Sequence, residues 1–343
     1  MEAEYNTSRK NKNGYYRFSF YCKLENGVVL DHTQTILISV PTNISGNFVV
    51  PNGITIILEN AFTGCEFINN IHLPESVKAI GNQCFKDCIR LNTLTLPKSI
   101  EYIAPQCFLY SSVISVLFEG TKFISFKNGI YSREKELIAL FGSFRKYVLP
   151  SSLRSIQAGV FSKMYSLEEI DLTACQDINI FKEGMFSHCK SLSKVKLPQN
   201  ITTIPKGFFD GCYSLDIELS DYKNLVRIEE NAFRNTSLFL TKLPESLQFI
   251  GEYAFYGCAF IDISIPKSVK FIGRWAFAHC QDLLTIRIKG ENTAIGSCVF
   301  DQSLRLRNVV INDSLNLGAN VPKRWGFELS KSLTITLESQ FEG

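Results

Sequence analysis

Cysteine and histidine are the residues of this sequence that could carry nucleophilic or metal chemistry. The 343-residue chain contains eleven cysteines and four histidines, and two of the histidines directly precede a cysteine, at His188–Cys189 and His279–Cys280. A thiol beside an imidazole can be activated as a nucleophile, and both side chains are zinc ligands. Whether either pair can work in this way depends on the elements that hold it.

Both pairs belong to a repeat that is anchored on phenylalanine. Isoleucine stands five residues before the anchor in nine of ten copies, proline eleven before it in seven, and cysteine three after it in six. A unit of this length cannot close a core alone and must stack on its neighbours, so the sequence predicts a solenoid. The anchors follow one another at steps of 22 to 25 residues, apart from one step of 53: Phe62, Phe85, Phe108, Phe161, Phe186, Phe209, Phe233, Phe255, Phe277 and Phe300.

The repeat argues against chemistry at the two histidines. The position two residues after the anchor, which the histidines occupy, holds varied residues in the other copies, and such variation is typical of a solvent-facing turn. Adjacent residues on a turn also point in different directions. No phosphate-binding glycine loop, zinc-spaced cluster or Gly-x-Ser-x-Gly elbow occurs in the sequence. We therefore expect no catalytic residue, no cofactor and no metal site. The histidines lie two residues after an anchor, where other copies have Gly64, Asp87, Lys163, Gly211 and Gln302.

Each copy predicts the same three elements. In "LNTLTLP" (Leu91–Pro97), Leu94 and Leu96 alternate with outward threonines, which indicates a short strand that the proline ends. The segment "SVKAI" (Ser76–Ile80) supplies inward aliphatic residues on a second side, and in "NQCFKDC" the chain is expected to turn on a helical or 3₁₀ step. Strands one coil apart must run parallel, at about 4.8 Å. The expected fold class is an α/β repeat solenoid with a parallel β-sheet, short strands and short helical or 3₁₀ turns.

Two segments interrupt the period, and the two ends differ from the middle. Residues 26–51 and 119–149 each contain Asn-Gly followed by two apolar runs around a polar turn, which predicts a hairpin-containing unit. Residues 1–25 include the alternating "YRFSFYCKL" and are interpreted as a polar end with a capping strand. We expect one elongated solenoid domain over residues 26–311 and a C-terminal cap over residues 312–343.

The motif that the copies share resembles a known family. Leu-Pro-x-Ser-aliphatic-x-x-Ile, followed by Ala/Cys-Phe-x-x-Cys-x-x-Leu-x-x-Ile-x-Ile, is similar to the BspA-like leucine-rich repeats of surface antigens, over residues 26–311. The resemblance implies a right-handed leucine-rich-repeat-like coil with about 22–25 residues per repeat. It also implies protein–protein recognition or adhesion without catalysis, and a cell-surface or secreted location. Proline takes the corner where ordinary leucine-rich repeats have an asparagine ladder.

Composition leaves two forms of recognition open. The formal charge of +3 gives no electrostatic case for nucleic acid, and no apolar run is long enough for a membrane span. The first residues lack the apolar core of a signal peptide, which favours a cytoplasmic location. The leading hypothesis is a non-catalytic protein-recognition module, such as an adhesin or host-interacting surface antigen, and the alternative is an intracellular interaction scaffold of the same fold. We expect an unidentified protein partner and a monomer or weak oligomer.

The position three residues after the anchor, which holds cysteine in six copies, predicts free thiols. Other copies place Ser111, Met164, Thr236 or Ser303 in the same slot, which indicates a small core residue. Disulfide bonds remain an alternative because several cysteines lie one coil apart. The parallel Cβ directions of stacked coils disfavour the formation of such a bond. The neighbouring pairs are Cys65/Cys88, Cys84/Cys107, Cys189/Cys212 and Cys258/Cys280.

Outward strand residues give the candidate partner-binding face. The register places acidic, basic and acidic residues on three successive strands, and opposite charges side by side can simply stabilise a sheet. The alternative is that these strands recognise a charged partner, and the hairpin Tyr131–Glu136 is the second candidate. The face consists of Glu169 and Asp171, Lys194 and Lys196, and Asp216 and Glu218.

Overall fold

The protein divides into two compact stacks of coils. A computed structural model describes residues 21–175, 177, 181–314, 324–326 and 334–341. One unit falls within Met1–Ser143 and Leu153–Val160, and the other within Phe144–Ser152 and Phe161–Gly343. Each unit contains its own parallel sheets, which confirms the predicted solenoid class. The expected bounds of the domain and its two end segments remain predictions, and residues 16–20 of the capping strand lie outside the described part.

The strand before the proline forms the first side of the coils in the first unit. Its inward and outward residues alternate as predicted: in "TLTL" the two leucines are buried and the two threonines are exposed, because successive strand residues point to opposite faces. The strands pair in parallel as β4 (Gly46–Val49) with β6 (Ile68–His72), and β8 (Thr93–Leu96) with β10 (Ser115–Phe118).

The same side of the second unit forms two parallel sheets. Lys194 and Lys196 flank a buried valine there, so this strand also keeps the alternation. The first sheet consists of β14 (Lys146–Val148), β16 (Glu169–Asp171) and β17 (Lys194–Lys196). The second consists of β21 (Asp262–Ile265), β23 (Thr285–Ile288), β25 (Asn308–Ile311) and β26 (Thr334–Leu337).

In nine copies, the isoleucine five residues before the anchor lies in a two-residue strand. These short strands pair in parallel and form a second side of the coils. The isoleucine is the inward residue of each pair, and its neighbour faces outward. In the first unit these strands are β5 (Ile56–Ile57), β7 (Ala79–Ile80), β9 (Tyr102–Ile103) and β15 (Ser155–Ile156). In the second unit they are β18 (Thr203–Ile204), β19 (Arg227–Ile228), β20 (Phe249–Ile250), β22 (Phe271–Ile272) and β24 (Ala294–Ile295).

Both predicted hairpins are present in the first unit, and each is extended by a third strand. In the first, β1 (Tyr21–Lys23) lies within the predicted capping strand, whereas in the second β11 (Phe123–Phe126) was not predicted. The last strand of each antiparallel meander, β3 (Ile36–Ser39) or β13 (Glu136–Leu140), pairs in parallel with an isoleucine strand, β5 or β15. Each meander therefore takes the place of one coil in that ladder. The strands are β1 (Tyr21–Lys23), β2 (Val29–Asp31) and β3 (Ile36–Ser39), and β11 (Phe123–Phe126), β12 (Gly129–Ser132) and β13 (Glu136–Leu140).

The anchor phenylalanines stack along the interior of each unit. All ten are buried, with at most 2% of their surface exposed. In the first unit the rings of Phe62, Phe85 and Phe108 stack at centroid distances of 5.5 Å. In the second unit the stack runs from Phe161 to Phe300, at 5.2 to 6.3 Å between successive rings. Burial of such large aromatic side chains dominates the apolar contribution to stability.

The turn around the anchor differs from the expected helical step. The residue two after the anchor is left-handed in all ten copies, with φ between 53° and 75°, and the residue two before it is left-handed in all copies except at Gln106. Two left-handed residues within five positions cannot belong to a right-handed helix. Helical residues lie elsewhere in the described part of the chain, among them a 3₁₀ helix at Leu219–Asp221 and an α-helix at Glu338–Phe341.

The left-handed residues give the turn a third ladder between coils. In most copies the anchor N–H and the N–H groups two residues on either side donate to carbonyls of the next coil. Phe186 N donates to Phe208 O at 2.9 Å, and His188 N donates to Asp210 O at 2.6 Å. The same bonds recur along both units, so the turn satisfies its backbone without forming a strand or a helix.

Trp325 ends the phenylalanine stack of the second unit. Its side chain is 2% exposed and lies edge-on to the ring of Phe300 at 6.0 Å. Phe300 N donates to Trp325 O at 3.0 Å, which continues the ladder of the turns. The C-terminal cap over residues 312–343 stays a prediction, and most of these residues lie outside the described part.

Candidate functional site

The two His-Cys pairs separate the imidazole from the thiol. His188 and His279 are half-buried at left-handed turn positions, with φ of 59° and 56°. The following thiols are buried and donate inward, Cys189 Sγ to Phe161 O at 2.9 Å and Cys280 Sγ to Phe255 O at 3.3 Å. Within the described residues, no group of three or more His, Cys, Asp or Glu side chains is placed to hold a metal ion.

The thiol slot is a hydrogen-bonding position of the core. Each thiol of this slot donates to a backbone carbonyl of the preceding coil, as Cys88 Sγ does to Phe62 O at 3.2 Å. A hydroxyl replaces it at Ser303, whose Oγ donates to Phe277 O at 2.9 Å. Ser111 and Thr236 instead donate their hydroxyls to the anchor carbonyl of their own coil, at 2.8 Å and 2.9 Å. Each of these small side chains therefore finds a backbone carbonyl acceptor, which explains why cysteine, serine and threonine exchange there. All eleven cysteines lie in the described part and are free.

Burial makes these thiols poor nucleophiles. It raises the pKa of Cys65 to about 11 and those of Cys88, Cys189 and Cys258 to about 12. The thiolate is the reactive form, and it is nearly absent at neutral pH when the pKa is this high.

The predicted face brings its acidic and basic strands together. Glu169 pairs with Lys194 and Asp171 with Lys196 in the parallel register of β16 and β17. The ammonium groups lie 3.6 Å and 3.7 Å from the carboxylates of these partners. Each carboxylate is therefore beside a lysine of the next strand, at a distance typical of a solvent-exposed ion pair.

Lys146 on β14 extends the face by one strand and was missed from the sequence. Its Nζ lies 2.6 Å from Glu169, which is thus shared between Lys146 and Lys194. Lys146 stands fifteen residues before its anchor, as Lys194 does before Phe209, and this shared offset was the available signal. The hairpin unit that precedes β14 obscured it.

The fourth strand position carries the predicted Asp216 and Glu218, and both are exposed. Asp216 forms a parallel bridge to Lys194, so it lies next to the basic strand. Glu218 accepts a hydrogen bond from Ser220 N at 3.0 Å and caps the 3₁₀ helix. We name Lys146, Glu169, Asp171, Lys194, Lys196, Asp216 and Glu218 the charged face.

An open groove of about 250 Å³ lies on the charged face. Buried Ile170 and exposed Val148 provide apolar surface, and charged side chains surround it. A groove of this kind can take an apolar part of a partner between charged groups. Its lining consists of Lys146, Tyr147, Val148, Glu169, Ile170, Asp171, Lys194 and Lys196.

Two carboxylates of the charged face, Glu169 and Asp171, are held in the ionised form. Hydrogen bonding and charge from Lys146, with Lys194 as a second cation, lower the pKa of Glu169. Hydrogen bonds from Thr173 lower the pKa of Asp171, and Lys196 adds to the effect. Ionised carboxylates with lowered pKa values suit charge recognition better than proton donation at neutral pH.

The alternation of inward and outward residues also predicts outward positions on the other strands, and most of them face outward in the structure. These positions are Asn70, His72, Thr93, Thr95, Asp262, Ser264, Thr285 and Arg287. Asn70, His72, Thr93, Thr95 and Asp262 are exposed, and Ser264 and Arg287 are half-buried. Thr285 was expected to face outward but is only 7% exposed. Asn308 Nδ2 lies 3.4 Å from its hydroxyl, within hydrogen-bond distance, so the next strand contributes to this burial.

Three solved bacterial structures are similar to this chain in fold. A leucine-rich cell surface protein from Faecalibacterium prausnitzii is 17% identical, with 80% of this chain and 64% of that chain covered and a TM-score of 0.42. A leucine-rich repeat protein from Bacteroides ovatus is 21% identical, with 99% and 76% covered and a TM-score of 0.49. The pneumococcal vaccine antigen PcpA is 17% identical, with 86% and 68% covered and a TM-score of 0.44.

The chain spans less than two thirds of the Faecalibacterium protein, and its similarity to these structures concerns the coil architecture. None of the curated proteins matches the sequence. Among the described residues, no helix has the length and apolar character needed to cross a bilayer.

The repeats of this chain assign it to a family. The family model for the BspA-type leucine-rich repeat region matches residues 42–137, 115–216 and 216–321. These segments join without a gap and include all ten anchors. The chain therefore belongs to the BspA-type leucine-rich repeat family.

Proposed function

We propose that this chain is a non-catalytic module that recognises a partner protein through the charged face and serves as a surface antigen of the adhesin type. Leucine-rich repeats are modules for protein interaction, and their strands present regularly spaced side chains. The observation that carries the proposal is the alternation of charge over an open groove, from Lys146 through β16 and β17 to Asp216.

The lysines of the charged face remain available to a partner. Their side chains are 68% exposed at Lys146, 74% at Lys194 and 75% at Lys196. Exposed ion pairs contribute only about 0–1 kcal/mol each, so a partner carboxylate can exchange with a lateral one at little cost. The apolar surface at Val148 adds contact area beside them.

The absence of catalysis is part of the proposal. Buried thiols with raised pKa values, and the carboxylates of Glu169 and Asp171 with lowered pKa values, support it. A substrate-dependent activity that is lost on changing any of these groups would contradict it.

Neutralising one strand of the face tests the recognition. We expect Lys194→Gln with Lys196→Gln to abolish capture of a partner by the immobilised chain, while Lys267→Gln with Lys270→Gln leaves capture intact. The control removes the same charge from exposed positions of the same unit. Proteins captured from host-cell surface extracts and from cytosolic extracts are quantified by mass spectrometry. Equal capture by both variants would contradict the assignment of this face.

The double variant Lys194→Gln with Lys196→Gln also separates a role in recognition from a role in stability. If the lysines only support the sheet, Lys194→Gln with Lys196→Gln lowers the free energy of unfolding by up to about 1 kcal/mol and leaves capture unchanged. Urea unfolding followed by circular dichroism measures this loss. A loss of capture with an almost unchanged unfolding midpoint supports a binding site.

Localisation tests the surface role. An antibody against the untagged native protein should label intact cells as strongly as permeabilised cells. Labelling that requires permeabilisation would contradict the surface role and favour an intracellular scaffold of the same fold.

A further inference from the structure

We propose that the charged face pairs with the charged face of a second copy of this chain, related by a two-fold axis parallel to its strands. This inference rests on the proposed recognition function and names the partner. Four successive strand positions carry basic, acidic, basic and acidic side chains: Lys146 on β14, Glu169 and Asp171 on β16, Lys194 and Lys196 on β17, and Asp216 and Glu218 on the next coil.

The order of positive and negative charge along the four strand positions determines which two-fold axis makes the two faces complementary. An axis between β16 and β17 that runs along the strands reverses the order of the strands in the second copy, so basic meets acidic at every position. An axis along the coil stack would instead place each strand on its own copy, lysine against lysine. A two-fold interface needs such a self-complementary patch.

The register within the strands adds the pairing of individual side chains. An axis parallel to the strands keeps the level of each residue along the strand. Glu169 shares its level with Lys194, and Asp171 shares its level with Lys196. Glu169 therefore faces Lys194 of the second copy, and Asp171 faces its Lys196. Each of these pairs forms twice, once on either side of the axis.

The outer positions follow the same rule. Lys146 and Asp216 lie at the level of Glu169 and Lys194, so Lys146 of one copy faces Asp216 of the other. Val148 lies opposite Glu218, whose carboxylate is already held by Ser220 N, and that contact adds no ion pair.

The spacing favours a second copy over an unrelated partner. Parallel strands one coil apart repeat at about 4.8 Å, whereas alternate side chains along one extended strand repeat at about 6.6 Å. Another stack of the same coils matches this period over all four positions. The exposed lysine stems are long enough to reach across while the acidic side chains stay near their own sheet.

The pairing should be weak and sensitive to salt. Exposed ion pairs contribute little individually, and four short strand positions cover less area than a standard protein interface. We expect a dissociation constant on the order of 10–100 μM at low salt, which rises at least about tenfold in ~0.5 M NaCl as the charges are screened. Sedimentation equilibrium over a range of protein concentrations measures it.

Charge reversal gives a test that a folding defect cannot imitate. Lys194→Glu with Lys196→Glu makes β17 acidic, and Glu169→Lys with Asp171→Lys makes β16 basic. Each variant alone presents like charges across the axis and should be monomeric. A mixture of the two is complementary at all four positions and should form a heterodimer. All four changes in one chain restore the complementarity and should restore the homodimer.

Controls separate the face from net charge. Lys267→Glu with Lys270→Glu changes the net charge as much as the acidic β17 variant and should dimerise like the original chain. Mixed with the basic β16 variant, this control places like charges at one of the four positions, so its heterodimer should be weaker than the one that the acidic β17 variant forms. Circular dichroism and thermal unfolding verify that each protein is folded. If one charge-reversal variant does not fold, Lys194→Gln with Lys196→Gln should still raise the dissociation constant at least about tenfold.

Three results would overturn the inference: an original chain that stays monomeric at all concentrations, self-association of either charge-reversal variant at the original affinity, or a mixture that remains monomeric. A monomeric original chain whose partner capture still depends on Lys194 and Lys196 would leave the proposed recognition function standing. If the original chain dimerises but Lys194→Gln with Lys196→Gln leaves partner capture unchanged, the pairing of two copies stands and the proposed recognition function is contradicted.

Discussion

Phe209 has aromatic neighbours on both sides of its ring, Phe186 at 5.7 Å and Phe233 at 5.5 Å. We expect Phe209→Ala to lower the free energy of unfolding by about 3–5 kcal/mol, because the cavity is enclosed by neighbouring coils. Phe300→Ala should cost less, since its ring neighbours lie farther away, at 6.3 Å and 6.0 Å. Urea unfolding followed by circular dichroism compares them. Small and equal losses would contradict a continuous aromatic core.

Asp31 organises the turn of the first hairpin. Only 3% of it is exposed, and its carboxylate accepts from Thr35 N at 2.8 Å, from Ile36 N at 2.7 Å, and from the hydroxyl of Thr33. Burial acts to raise the pKa of Asp31, but these hydrogen bonds outweigh it and hold the pKa below its ordinary value. The ionised form is therefore the one that the fold stabilises.

This shift predicts how stability depends on pH. A lowered pKa means that the stabilisation is complete above the pKa of the unfolded chain, about 3.9, and is lost as the pH falls through the folded value. Asp31→Asn should cost about 1–3 kcal/mol at pH 7, because hydrogen bonds to a charged acceptor are lost. The difference in melting temperature between the two proteins should shrink below about pH 4. A difference that is constant down to pH 2 would contradict this role.

At the scale of the element, two glycines flank the anchor Phe209 with different surroundings. Gly207 and Gly211 have φ of 59° and 71°, but a Cβ on Gly211 would lie 2.5 Å from Nδ1 of His188, whereas one on Gly207 would meet only backbone at 3.9 Å. Gly207→Ala should cost about 1 kcal/mol from the left-handed backbone alone. Gly211→Ala should cost about 1–2 kcal/mol more.

A double variant isolates the steric part of this cost. In a His188→Gly background, the Gly211→Ala change should fall to about the cost of Gly207→Ala, because the imidazole is gone and the backbone cost remains. Urea unfolding of the four proteins of this cycle measures the coupling. Equal costs at both glycines in the original chain would contradict the proposed clash.

The sequence indicates the strands more completely than the turns. Alternation around Leu94 and Leu96, and the isoleucine five before each anchor, report burial directly, so both sides of the coil and both hairpins could be predicted. The turn could not, since its left-handed positions hold residues as different as Trp275 and Lys163. Hydrogen bonds to the next coil impose that backbone, and they override local preference. Glycine in three copies of each position was the remaining signal.

The candidate site was predictable to the extent that it follows the register. Lys194 and Lys196 share their offsets with other outward strand residues, so their exposure could be derived. Lys146 follows a long hairpin unit, and its membership depends on which strand β14 joins, which is a property of the tertiary structure. The groove beside Val148 likewise depends on how three strands lie together.

For the whole molecule, the thiols make a collective prediction. Titration of the unfolded, unreduced protein with a thiol reagent should detect all eleven cysteines, because none is bridged. In the native protein at pH 8, the half-buried Cys22 and Cys298 should react first, and the buried thiols with raised pKa values much more slowly. Detection of three or fewer thiols would contradict the free-thiol structure and indicate an oxidising compartment.

The ladder of hydrogen bonds at the anchor turns has an evolutionary consequence. The anchor N–H donates to the residue before the next anchor in the same way in successive copies, as Phe186 does to Phe208 and Phe209 to Ala232. A gene duplication of one whole coil, about 22–25 codons, therefore meets intact partners on both sides, whereas half a coil does not. The charged face sets a finer rule: one extra coil between β16 and β17 would place like charges side by side or break the alternation, and two extra coils can preserve it. Copy-number change in this gene should thus be tolerated in single steps elsewhere and in even steps at the charged face.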